Sequence, residues 1–115
     1  MTDGTRCHAA DKPTIYHIEG RRSGRVIWLC EELAIPYELI FQRGDVAGSM
    51  ATLRTVHPSF PVAPTIKLGE QWLIESGAIL DVLVPWCGAG QLVPPVYSPD
   101  YARHAQWLHF GEGSL

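Results

Sequence analysis

The residues best placed to do chemistry lie where an apolar segment runs into a helix, at Glu75-Ser76-Gly77. Ser76 suits the N-cap of the run that follows, in which Ala78, Ile79, Val82, Leu83 and Trp86 have the spacing of one helix face. A helix N-terminus presents N–H groups without intrahelical partners and the positive end of the helix dipole, so an anion seated there is stabilised. Capping alone also accounts for Ser76, and the two roles can coexist. Other chemistries lack their residues. The five histidines form no metal-ligand pattern: His104 and His109 point to different faces of one helix, and His17 reads as a structural residue in a strand. Of the three cysteines, Cys7 falls in an N-terminal leader, Cys87 at a helix end, and Cys30 among apolar helix positions, where a free thiol behaves as a small buried hydrophobe. No Cys-x-x-Cys, phosphate loop or dinucleotide fingerprint is present.

Holding Glu75 and Ser76 in place requires the hairpin before them. Thr65, Ile66 and Leu68 form one strand, Trp72 to Ile74 the next, and Gly69-Glu70 between them suits a type II′ turn with glycine first. Pro64 stands just before the first of these strands, where its missing N–H costs little. Earlier in the chain, Met1 to about Lys12 is a loose leader, and Pro13 admits a strand over Thr14 to Ile18. Ser23 to Ala34 reads as a helix with the apolar stripe Val26, Ile27, Leu29, Cys30 and Leu33. Trp28 fills one flank of it, and Glu31 and Glu32 form its solvated side. Pro36 stops the helix, and Tyr37 to Phe41 form a strand parallel to the first. Gly44 to Thr55 carries the weakest signal and is expected to be a short or irregular helix. His57 to Pro61 is a proline-rich loop, the stretch to Pro99 after the third helix is a linker, and a last helix starts near Asp100 with Tyr101, Ala105, Leu108 and Phe110 on its apolar side.

A chain of 115 residues, 46% apolar and 18% charged, has the size and composition of one soluble globular domain. The net charge of −3 gives no general reason to expect nucleic acid or an anionic membrane as partner. No apolar run has the length of a membrane span, no signal-peptide core is present, and the absence of Asn removes any glycosylation sequon. A cytoplasmic protein is expected.

Ala63-Pro64, a hairpin and then Glu75-Ser-Gly-Ala-Ile79, in this order and spacing, resemble the glutathione-binding half of a glutathione S-transferase. Arg25-Val-Ile-Trp-Leu-Cys-Glu-Glu-Leu33 followed by Ile35-Pro-Tyr-Glu38 is similar to the first helix and second strand of that family, and Asp100 to Leu115 to the opening of its helical second domain. The resemblance implies an α/β fold, a thioredoxin-like βαβαββα with a four-stranded mixed sheet plus one C-terminal helix. It implies a leader over 1–12, a glutathione-binding domain over 13–88, a linker over 89–99, and over 100–115 the first helix of a truncated helical domain.

The same resemblance implies the site. Glutathione is the co-substrate and a small electrophile its partner in conjugation. Ala63, before a cis Pro64, offers its backbone to the cysteinyl part, and Glu75 and Ser76 take the γ-glutamyl end. The family's catalytic Ser position, in the loop Glu19-Gly-Arg-Arg-Ser-Gly-Arg25, carries Arg21, which can stabilise a thiolate by charge. Ser23 is the nearest hydroxyl, with helix capping as its competing role, and Tyr16 is a second candidate that also reads as core filling. A Lys that relatives often carry near Phe60-Pro61-Val62 is missing, with His57 as a substitute or as loop surface. A homodimer is expected, since Trp86, Trp107, Leu108 and Phe110 are candidates for an exposed apolar surface. The alternative function is a non-catalytic glutathione-binding or dimerisation module. A glutathione-dependent oxidoreductase ranks third, because no Cys lies in the first strand–helix loop.

Overall fold

The computed structural model describes residues 12–87 and 92–113. Cys7 and the leader through residue 11, residues 88–91 of the linker, and residues 114 and 115 lie outside the described residues. The order is β1 (Thr14–Tyr16), α1 (Ser23–Glu32), β2 (Glu38–Ile40), α2 (Val46–Val56), β3 (Thr65–Leu68), β4 (Gln71–Ile74), α3 (Ser76–Cys87) and α4 (Asp100–Gly113). The strands form one mixed sheet, β2-β1-β3-β4, in which β1 and β2 are parallel and the other pairs antiparallel. This is the α/β, thioredoxin-like order that the sequence predicts.

Alternation along the strands decides which face is buried. Ile15 of β1 pairs with Ile66 of β3, and Ile66 with Leu73 of β4, so one face carries a row of aliphatic side chains. Val26, Leu29 and Cys30 of α1 and Ile79, Leu83 and Val84 of α3 close over that row to make the core. The turn between β3 and β4 has Gly69 at φ 62°. Only glycine adopts that backbone at no steric cost, and a positive φ at the first turn residue alone is the type II′ pattern.

Helix ends depart from expectation in informative ways. α1 stops at Glu32, before Pro36 can act. Ala34 takes a left-handed φ of 55°, its N–H reaches Glu31 O at 3.3 Å, and the N–H of buried Ile35 reaches Cys30 O at 2.8 Å. This paired closure satisfies carbonyls that would otherwise lack partners. α2 is a regular helix rather than an irregular one, because Asp45 caps it by accepting from Gly48 N at 2.8 Å and Leu53 anchors it in the interior. Trp28 does not fill a flank of the core: it is 55% exposed. On α4, Tyr101, Ala105 and Leu108 are half-buried, whereas Trp107 and Phe110 are exposed and pack edge to face at 5.3 Å.

Candidate functional site

The sheet register gathers the candidate residues at one end. Tyr16 at the end of β1 pairs with Thr65 at the start of β3, and Thr65 pairs with Ile74 at the end of β4. The loop entering α1, the Ala63–Pro64 peptide and the Glu75-Ser76 entry to α3 therefore leave the sheet on the same side. The Ala63–Pro64 bond is cis. Beside these segments lies a cleft of about 750 Å³, lined from the first loop and helix by Arg21, Arg22 and Arg25, from α2 by Met50, and from the loop before β3 by Val62 and Ala63.

The charge of this cleft breaks two local rules. Helix N-termini favour acidic residues and an N-cap side chain that accepts from a backbone N–H. The N-cap position of α1 is Arg22, which makes no side-chain capping bond, and no acidic residue stands in the first turn. Arg21, Arg22 and Arg25 thus sit at the positive end of a helix dipole, an arrangement that a bound anion favours. Arg25 also reaches across to α3, where its Nη1 donates to Ser76 Oγ at 3.4 Å. The Arg25 guanidinium thus links the first turn of α1 to the start of α3. Departures of this kind are expected at functional positions.

Ser76 is not an N-cap. It is the first residue of α3, buried, and Glu75 precedes it in the left-handed region at φ 74°. A non-glycine residue held there stores strain of about 1–3 kcal/mol, and such strain clusters at ligand-binding positions. The Glu75 carbonyl accepts from Ile79 N at 2.9 Å, so the backbone closes the first turn while the exposed Glu75 side chain stays outside it.

The two hydroxyl candidates are not brought to the cleft. Ser23 is fully buried as the first residue of α1 and caps nothing. Its Oγ accepts from Ile18 N at 3.1 Å, lies 3.3 Å from Ile18 O, and is 2.7 Å from His17 Nδ1. These contacts fold the loop that carries Arg21 and Arg22 back against β1. His17, which the sequence marked only as structural, is therefore the partner that fixes this loop. Its ring also packs edge to face on Phe41 at 4.9 Å. Burial lowers the His17 pKa from its usual value, and Glu19 opposes that only in part. Stability linked to this group is complete above its unfolded pKa and is lost as pH falls through the folded one. Glu19 itself pins the same loop to the start of α2, accepting from Gly44 N at 2.7 Å.

Tyr16 packs on Trp72 with ring centroids 5.7 Å apart and does not line the cleft. His57 stacks on the other part of this aromatic group, 5.4 Å from Trp72, with Nδ1 3.0 Å from Phe60 O. It does not line the cleft either. Cys30 lies in the core, and burial, reinforced by Glu31, raises its pKa to about 11, so it stays a neutral thiol near neutral pH. No group of His, Cys, Asp and Glu that could hold a metal occurs among the described residues, and no described helix is long and apolar enough to cross a membrane.

Comparison with known proteins bears on this geometry. A glutathione transferase of Bombyx mori superposes with a TM-score of 0.72 at 23% identity, over 90% of this chain and 49% of that one. This is the glutathione S-transferase thioredoxin-like fold. Ure2p, solved in complex with glutathione, shares it with a TM-score of 0.68 at 21% identity, over 93% of this chain and 47% of that one. Glutathione S-transferase 3 of Schizosaccharomyces pombe is 30% identical over 102 residues, which are 88% of this chain and 41% of that protein. The chain thus spans less than half the length of this transferase relative. No family model matches it.

Proposed function

We propose that the arginine-lined cleft binds glutathione and that the chain conjugates the glutathione thiol to an electrophilic small molecule. The observation that carries this reading is the Arg25–Ser76 contact, which places a guanidinium and a serine hydroxyl at the strained start of α3, next to a cleft whose charged lining residues are all arginines. Glutathione carries two carboxylates and an amine on an extended peptide. Glu75 takes the amine, Ser76 and Arg25 a carboxylate, and the backbone of Ala63, before Pro64, the cysteinyl unit. The transferase relative and the Ure2p complex support the ligand. Of the sequence candidates for thiol activation, Ser23 is occupied inside and Tyr16 faces Trp72, so we assign thiolate stabilisation to the charge of Arg21.

A second reading, a glutathione-binding module without turnover, is favoured by one observation: among the described residues, no side chain lining the cleft carries a hydroxyl or a thiol. Calorimetric titration with glutathione beside a conjugation assay separates the two. Saturable binding with turnover supports the first reading, and binding without turnover selects the module. No binding at millimolar glutathione defeats both.

We also infer a cytoplasmic homodimer, built on segments 13–88 and 100–115 with 89–99 as linker. Trp86, Trp107 and Phe110 are 44%, 62% and 39% exposed, and apolar surface of this kind marks interfaces. Light scattering over a dilution series should show a dimer that Trp107→Asp with Phe110→Asp converts to monomer. A native chain that is monomeric at high micromolar concentration would refute this.

A further inference from the structure

We propose, resting on the glutathione reading of the arginine cleft, that His17 is its positioning residue: protonation of His17 releases the loop that carries Arg21 and Arg22, and the cleft loses its ligand as the pH falls. His17 does not line the cleft. It acts through Ser23, whose buried hydroxyl oxygen lies 2.7 Å from His17 Nδ1, 3.1 Å from Ile18 N and 3.3 Å from Ile18 O. Arg21 and Arg22 stand between these anchors, and Arg21 N also donates to Ile18 O at 3.0 Å.

The Ser23 hydroxyl has a single hydrogen to donate. Ile18 O is its longer contact and already accepts from Arg21 N, so the hydrogen goes to Nδ1, and neutral His17 keeps its own proton on Nε2. An imidazolium donates from both nitrogens. Nδ1 then takes Ser23 Oγ as its acceptor, and the Ser23 hydrogen must turn to Ile18 O and compete there with Arg21 N. Charge acts in the same direction. The charged groups on the segments that meet His17 are Arg21, Arg22 and Arg25 on the side of α1, Arg43 and Asp45 after β2, and Glu19 next along the chain. Arg43 lies 5.6 Å from the centroid of the Phe41 ring on which His17 packs. Arginines thus predominate around a half-buried imidazole, and Glu19 offsets the cost of burying its charge only in part. The neutral form therefore prevails at pH 7, and the loop loosens as the pH falls below the ordinary histidine range.

The probe is S-methylglutathione, which has no thiol to titrate and whose carboxylates and amine hold nearly constant charge between about pH 5 and 7. Its dissociation constant for the full chain, measured by calorimetry, should be about three- to tenfold larger at pH 5 than at pH 7, because an apparent constant is the intrinsic one divided by the competent fraction. By reciprocity, saturation with the probe should lower the pH at which the His17 ring titrates in NMR spectra, which a histidine with a purely structural role would not show. His17→Asn keeps an acceptor for the Ser23 hydrogen and removes the titrating group, so it should retain most of the pH 7 affinity and lose the dependence on pH. His17→Phe keeps a ring against Phe41 without an acceptor and should bind weakly at both pH values. Affinity that is flat or rises from pH 7 to pH 5 overturns the proposal and leaves the glutathione reading standing. So does a His17 titration that the probe leaves unmoved, or native affinity in His17→Phe. No binding at pH 7 with millimolar probe defeats the glutathione reading and this proposal with it. Should either variant fail to fold, the pH profile and the His17 titration of the native chain still decide.

Discussion

Arg25→Gln is expected to weaken glutathione binding by about ten- to a hundredfold, because a hydrogen bond to a charged group contributes about 1.5–3 kcal/mol and each 1.4 kcal/mol is tenfold. The effect should fall on affinity rather than on folding. Arg25 is an exposed residue in the first turn of α1. Its removal should therefore change unfolding free energy by less than about 1 kcal/mol, as surface substitutions usually do. Arg25→Lys keeps the charge but loses the planar fork that reaches both Ser76 and a carboxylate, so it should recover only part of the affinity. Calorimetric titration of the three proteins with glutathione checks the order native, Lys, Gln. Equal affinities would mean that the anion does not sit at the start of α3, and the proposed binding mode would fail.

The reach of Arg25 to Ser76 also shows what a sequence conceals. The two residues are 51 positions apart, and nothing in either neighbourhood specifies the contact. The hairpin was legible because turn chemistry and strand periodicity are local, and the helices over the core were legible because their apolar faces repeat. The regularity of α2 was less so. Gly48 and Ser49 depress helix propensity, yet the lack of a Cβ at Gly48 leaves room for the Asp45 carboxylate and the Gln42 amide over the helix entry, which a larger residue would push aside. Ser49 is buried and accepts from Gln42 N at 2.9 Å, so the two weak formers serve to dock the helix entry. The burial of Ser23 is concealed for a related reason. A serine in a loop of arginines has the composition of an exposed hydroxyl, and only the fold back onto Ile18 and His17 hides it.

The largest loss of stability should come from Ile66→Ala. Ile66 is fully buried on β3, an interior strand of the sheet, and it is flanked in register by Ile15 on one side and Leu73 on the other. α1 and α3 cover the same face, so the site has little freedom to collapse around a cavity. Truncations of this kind cost about 2–5 kcal/mol, a third or more of the roughly 5–15 kcal/mol that holds a domain folded. With a urea dependence of about 1–3 kcal/mol per M, the unfolding midpoint should fall by about 1–3 M. Ile66→Val removes one methylene and should cost only about 0.5–1.5 kcal/mol. The cleft should register the larger change, because Thr65 pairs with Ile74 and this last rung frames both the Ala63–Pro64 peptide and the entry to α3. Glutathione affinity should accordingly fall in Ile66→Ala and hold in Ile66→Val, although neither side chain touches the ligand. A midpoint change below about 0.5 M in the alanine variant would contradict a core anchored on β3, since it corresponds to less than the cost of one buried methylene on a typical dependence.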